Sequence, residues 1–155
     1  MKYFELQREV LKDWMAYQNP VNEAVTSVWN KGEDDVIEGF TTVTDSKALY
    51  FIEKRFFLLD FPKIGKRAVS NKTVNKFINE AALSEDLLFD HIEIDSEKRK
   101  VAIYKRPDGE KTSVDTKYLK FFNNFEAMGV RQRRAHFPLY FYEADVLRAV
   151  IMPLT

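Results

Sequence analysis

Histidine changes charge near neutral pH, and this chain of 155 residues holds two, His91 and His136. The richer setting is Asp90-His91-Ile92-Glu93-Ile94-Asp95. On a strand successive side chains alternate faces and alternate residues stand roughly 7 Å apart, so His91, Glu93 and Asp95 would line one face and Ile92 and Ile94 the other. An imidazole and two carboxylates in a row form a donor set for a hard cation, and with it a metal-dependent hydrolase. The opposing reading is a half-buried strand with its isoleucines inward and its polar row in water, facing Lys98 and Lys100 of a return strand. The sequence favours the second, because another His ligand would have to come from distant His136, and no metal site is expected.

Nucleophilic and cofactor chemistry find little support. The chain has no Cys, which excludes thiolate nucleophiles, thiolate metal sites and disulfides, and no Gly-x-Ser-x-Gly elbow for a serine nucleophile. Gly65-Lys66 is followed by Arg67 where a phosphate loop needs Ser or Thr, and position 60 is Asp where it needs Gly. With five glycines in all, dinucleotide fingerprints are missing too, so neither a cofactor nor an enzymatic activity is expected.

Two charged segments remain as binding candidates. Arg131, Arg133 and Arg134, with Lys98-Arg99-Lys100 and Lys105-Arg106 upstream, could contact phosphates while Tyr104, Tyr118 or Phe137 stack on bases. The acidic run Glu33-Asp34-Asp35 with Glu38 lies between Trp29 and Phe40, a pattern of aromatic anchors inside a charged rim that suits a protein partner. The charge count sharpens the contrast: 24 basic and 24 acidic residues cancel overall, yet residues 1–53 carry net −5 and residues 98–134 net +7. The arginines lack a recognised nucleic-acid-reading motif, so protein binding is the first expectation and nucleic-acid association the second.

The elements that must position these residues are read from periodicity. Residues 2–7 alternate as a first strand, before Val10, Leu11, Trp14, Met15 and Tyr17 recur at helical spacing. Phe40–Thr44 and Arg55–Phe61 read as strands, the latter closed by Pro62. From Ser70, Val74, Phe77, Ile78, Ala81 and Ala82 make one stripe of a capped helix over 70–83. An antiparallel meander follows over Leu88–Asp95, Lys100–Lys105 and Lys111–Val114. Tyr118, Leu119, Phe122, Phe125 and Met128 predict a helix over 116–128 stopped by Gly129. Phe137–Tyr142 predicts a strand and Asp145–Met152 a short helix. Residues 41–49, 67–74 and 139–147 share a loose echo of strand end, polar cap and helix start. No Ser-, Gly- or Pro-rich linker divides the chain, so one α+β domain over residues 1–155 is expected, an antiparallel sheet packed by two or three helices.

Length and composition bound the class. At 155 residues the chain is long enough for a core without staples, and 45% hydrophobic with 31% charged residues is the make-up of a packed globule. The charged amino-terminal stretch argues against a secretory signal and no apolar run approaches a membrane span, so a cytoplasmic protein that does not engage the membrane is expected.

One resemblance adds to this. Met1-Lys2-Tyr3-Phe4-Glu5-Leu6, Ala68-Val69-Ser70-Asn71-Lys72-Thr73-Val74-Asn75-Lys76-Phe77-Ile78 and Phe89-Asp90-His91-Ile92-Glu93-Ile94 resemble the bacterial polymorphic-toxin immunity proteins, with a recurring unit of strand, Ser-capped helix and strand. The resemblance covers about a third of the chain. It implies a small cytoplasmic α+β protein that binds a cognate toxin and blocks it without chemistry of its own. Inhibitors of basic nucleases in such systems are plainly acidic, whereas this chain is neutral, which leaves the target class open.

Overall fold

The structure, a computed structural model, describes residues 1–17, 29–33, 37–60 and 68–154. It resolves into two compact units, Met1–Lys76 and Phe77–Thr155, and the division falls inside a helix rather than in a linker.

The first unit begins with helix α1, Tyr3–Tyr17. Tyr3, Leu6, Gln7 and Val10 are its buried residues, spaced i, i+3, i+4 and i+7. The strand expected over residues 2–7 is therefore part of this helix: a six-residue alternation yields to the longer helical period once Leu6 and Val10 have an apolar surface to enter. Gln7 ties the helix to its neighbour, since its Nε2 donates to Phe56 O at 2.8 Å and its Oε1 accepts from Leu58 N at 2.7 Å.

Strands β1 (Asn30–Lys31), β2 (Phe40–Thr44) and β3 (Ala48–Glu53) form an antiparallel ladder, with Lys31 opposite Val43 and Thr42 opposite Phe51. Asp45 makes the β2–β3 turn, its Oδ1 accepting from Lys47 N at 2.9 Å and Ala48 N at 2.8 Å. Residues 41–49 are thus a hairpin, not a strand leading to a helix. The buried strand lies earlier than Arg55–Phe61: Ala48 to Ile52 are all buried, while Lys54–Phe56 is a 3-10 turn with Arg55 in solvent, and Phe61 lies outside the described residues. Gly32 is required by contact, for a Cβ there would lie 1.7 Å from Thr42 Oγ1.

Helix α2, Asn71–Ala82, is the element expected from Ser70, whose Oγ accepts from Thr73 N at 3.2 Å. Its buried positions are Val74 and Ala81, whereas Phe77 and Ile78 are only half-buried and Ala82 is exposed.

The second unit holds β4 (Glu85–Ile94), β5 (Lys100–Lys105), β6 (Lys111–Asp115), β7 (Gly129–Gln132), β8 (Leu139–Glu143) and β9 (Val146–Ile151). They are ordered β9-β8-β7-β4-β5-β6, antiparallel throughout. The meander read from the sequence is β4, β5 and β6. The sheet coils strongly, since Tyr104 of β5 meets Phe141 of β8 at 6.0 Å although two strands lie between them. Just past β9, Leu154 N donates to Ser113 O of β6 at 2.9 Å. Bulges at Phe89/His91 and Phe141/Tyr142 assist the bend.

Two expected helices are absent here. Residues 116–128 form two 3-10 turns, Thr116–Tyr118 and Phe125–Ala127; Asp115 Oδ1 caps the first through Lys117 N at 3.0 Å, and Asn123-Asn124 interrupts the span. The apolar residues still do what their spacing suggests, for Tyr118, Leu119 and Phe122 are buried, but aromatic-rich turns with two central asparagines have little helical propensity to keep the backbone regular. Residues 146–151 are β9 because Ala144 and Asp145, at φ 47° and 65°, make a left-handed hairpin turn after β8. The protein is accordingly mixed α/β with antiparallel strands, and the α-helices of its described residues are α1 and α2.

Candidate functional site

The acidic candidate gathers at one end of the β1–β2 ladder. Lys31 lies opposite Val43, and Gly32 N donates to Thr42 O at 2.7 Å, which carries the chain to Glu33 beside the start of β2. Glu33 N then donates to Val69 O at 3.0 Å, and Glu38 sits in the turn that enters Phe40, with Gly39 at φ 82°. Glu33 and Glu38 are exposed and Phe40 is half-buried. Asp34 and Asp35 lie outside the described residues. Trp29 corrects the expectation of an exposed anchor: it is 4% exposed, its Nε1 donates to Asp13 Oδ2 at 2.9 Å and its ring lies 6.1 Å from Tyr50. It holds α1 to the sheet, so Phe40 is the aromatic that this end offers.

The arginines of the basic segment are mostly engaged. Arg131 and Gln132 point to opposite sides of β7, as strand alternation requires, and Arg133 follows in the bend just past the strand. Arg131 lies directly across from Asp86, with Nε 3.0 Å from its Oδ1, and its guanidinium covers the Tyr142 ring at 5.2 Å. Arg133 Nη1 donates to Glu80 Oε2 of α2 at 2.8 Å. Arg134, exposed in the turn toward β8, lies over Phe137 at 5.8 Å. Between the first two, Gln132 is fully buried and joins Arg106, whose Nη1 donates to Gln132 Oε1 at 2.7 Å, while Gln132 Nε2 donates to Phe137 O at 2.8 Å. Sequence reading had no signal for this internal link, because its partners are 26 residues apart.

The row His91, Glu93 and Asp95 is only partly assembled. His91 and Glu93 share a face, opposite Ile103 and Val101 of β5. The bulge at Asp90 places that carboxylate beside His91 as well, so His91 Nδ1 lies 3.0 Å from Asp90 Oδ2 and Nε2 lies 3.0 Å from Glu93 Oε2. A neutral imidazole donates from one nitrogen only, so a carboxylate at each nitrogen calls for the imidazolium. The hydrogen bond to Glu93, then that to Asp90, raises the His91 pKa, and the bond to His91 holds Asp90 below the usual carboxylate range with Lys111 3.5 Å away. Asp95 is drawn elsewhere: Oδ1 accepts from Glu97 N at 3.0 Å and Arg99 N at 2.8 Å, and Oδ2 from Arg99 Nε at 2.8 Å. Lys98 is in that turn at φ 62° and Lys100 faces Ile94, which is 65% exposed rather than turned inward. Among the described residues no group of three or more His, Asp or Glu side chains is placed to hold a metal ion.

Two buried tyrosines complete the polar inventory. Burial pushes the Tyr140 hydroxyl up to about 12, helped by Glu80, and burial raises Tyr104 further still. The Tyr104 hydroxyl has no hydrogen-bond partner among the described residues, and its ring packs between Phe89 and Phe141. No helix of the described residues is long and apolar enough to cross a membrane. In comparisons with known proteins, the chain matches no protein-family model, no curated protein and no solved structure.

Proposed function

We propose that this chain is a non-catalytic protein-binding module of the immunity type, which docks a cognate toxin and occludes it. The contact surface is the acidic end of the β1–β2 ladder, with Glu33, Glu38 and Phe40, and it suits a partner with a basic face; Asp34 and Asp35, which the sequence adds to this candidate, lie outside the described residues. The observation that carries this reading is the distribution of free and engaged charge. Glu33 and Glu38 stand in solvent around Phe40, whereas Arg131 and Arg133 already hold Asp86 and Glu80. An arginine whose charge is already balanced by a carboxylate attracts a phosphate less strongly, which weakens the nucleic-acid reading at Arg131 and Arg133.

The experiment is co-expression with each toxin-like reading frame found beside this gene, together with association kinetics on the purified pair. Protection of growth is the expected result, and reversing Glu33, Asp34, Asp35 and Glu38 to Lys should lower the association rate more than it raises the dissociation rate. Unrelieved toxicity with no complex formed would overturn the reading. So would micromolar oligonucleotide binding at physiological salt that is lost when Arg131, Arg133 and Arg134 are replaced by Gln.

A further inference from the structure

Helix α1 carries a second apolar stripe that its own unit does not cover. Phe4, Leu11 and Met15 are 59%, 40% and 63% exposed, although Leu6 and Val10 on the same helix are fully buried. At 100° per residue the exposed three fall within about 40° of arc, and Arg8, also exposed, lies beside them. Phe4, Arg8, Leu11 and Met15 are spaced 4, 3 and 4, the d-a-d-a seam of a heptad, and the seam runs about 16 Å along the helix. One flank is closed by the segment that Gln7 clamps, where Phe56 meets Phe4 at 6.1 Å and Leu58 is 73% exposed. The other flank carries Glu5 and Lys12, both exposed, at successive e positions.

This charge pattern is complementary to itself. When two such helices pack antiparallel, Phe4 stacks over Met15 of the second copy and Arg8 over Leu11, and the two-fold axis repeats both layers. In the same register Glu5 of each copy faces Lys12 of the other, because e positions meet e positions across an antiparallel seam, whereas a parallel pairing sets e against g, which places Lys12 against Gln7 and leaves Glu5 without an opposite charge. From this placement we infer that α1 is a self-association surface, through which two copies of this chain pair antiparallel along the Phe4, Arg8, Leu11 and Met15 seam. Four layers on a helix this short make a small interface, so the dimer is weak, with a dissociation constant in roughly the micromolar-to-millimolar range.

Sedimentation velocity of the full chain over rising concentration tests the pairing. The expected record is a reversible monomer–dimer equilibrium, abolished by Met15→Glu with an unchanged circular dichroism spectrum and melting temperature, because Met15 is in solvent. Glu5→Lys alone should weaken the dimer by about five- to tenfold, since two attractive contacts become repulsive. The exchange Glu5→Lys with Lys12→Glu should restore it. A chain that stays monomeric to millimolar concentration overturns the inference. A dimer insensitive to Met15→Glu, or one that the exchange fails to restore, also overturns it.

Discussion

Gln132 is the residue whose loss should cost this fold the most for the fewest atoms. Its carboxamide is fully buried between a cation and a carbonyl, accepting from Arg106 Nη1 at 2.7 Å and donating to Phe137 O at 2.8 Å. The Arg106 side chain is 6% exposed, and its other anionic neighbour, Asp108, lies 3.5 Å off and is itself 53% exposed, too long and too wet to take over. Gln132→Ala removes a bond to a charged donor, about 2 kcal/mol, and a neutral bond of about 1 kcal/mol. The void it leaves adds about 1 kcal/mol. The total, about 4 kcal/mol, is a large part of the stability of an ordinary domain. Urea unfolding followed by fluorescence and circular dichroism reads it as a shift of midpoint. Arg106→Met combined with Gln132→Leu removes cation and acceptor together, and should recover much of the loss because no charge is left unpaired in the interior. A Gln132→Ala cost under 1 kcal/mol, or strict additivity in the double variant, would refute the claim that the pair is coupled.

Three further outcomes follow from the geometry. His91 should titrate above the ordinary histidine value of 6.5, and Asp90→Asn with Glu93→Gln should bring it back down, read by NMR titration. A histidine pKa raised by folding adds stability that is fully present below 6.5 and is lost as pH rises through the folded value, so the parent's melting temperature should fall across that window more than the double variant's. Gly32→Ala should destabilise the first unit by about 1–3 kcal/mol in urea unfolding, because the added carbon would lie 1.7 Å from Thr42 Oγ1, which must rotate away inside the core, and still 3.1 Å from Thr42 Cβ. Ala144→Asn with Asp145→Gly should raise the unfolding free energy read from the denaturant midpoint by about 1 kcal/mol, since both positions are left-handed; a fall would mean that the segment after Glu143 is helical after all.

Legibility tracked how local the deciding interaction was. The helix after Ser70 and the meander over β4, β5 and β6 were readable because cap, period and turn residues all lie within a few positions of the backbone they shape. The same period misled at Tyr118, Leu119 and Phe122: these residues are buried as expected, but 3-10 turns bury them as well as a helix would, and a spacing pattern cannot tell the two apart. At Asp145 a residue that reads as a helix cap serves instead as the second residue of a tight turn. In the acidic candidate Glu33 and Glu38 are exposed and Phe40 is half-buried, while Trp29 went inward, where its Nε1–H found Asp13, 16 residues earlier.

Residue types alone determined that thiol chemistry is closed to this protein, that its charge is unevenly spread along the chain, and that residues 88–114 would run as an antiparallel meander. Tertiary structure alone decided which charges are free. Arg131 meets Asp86 across 45 residues and Arg133 meets Glu80 across 53, so whether an arginine waits for a phosphate or already holds a carboxylate was set by strand register and helix docking. The His91 row was settled the same way. One extra residue in the ladder at Asp90 swung that carboxylate onto the imidazole, while Asp95 was drawn into its own turn by backbone N–H groups. Periodicity reports which face a side chain takes, but a bond between side chains depends on distances that only the folded chain supplies.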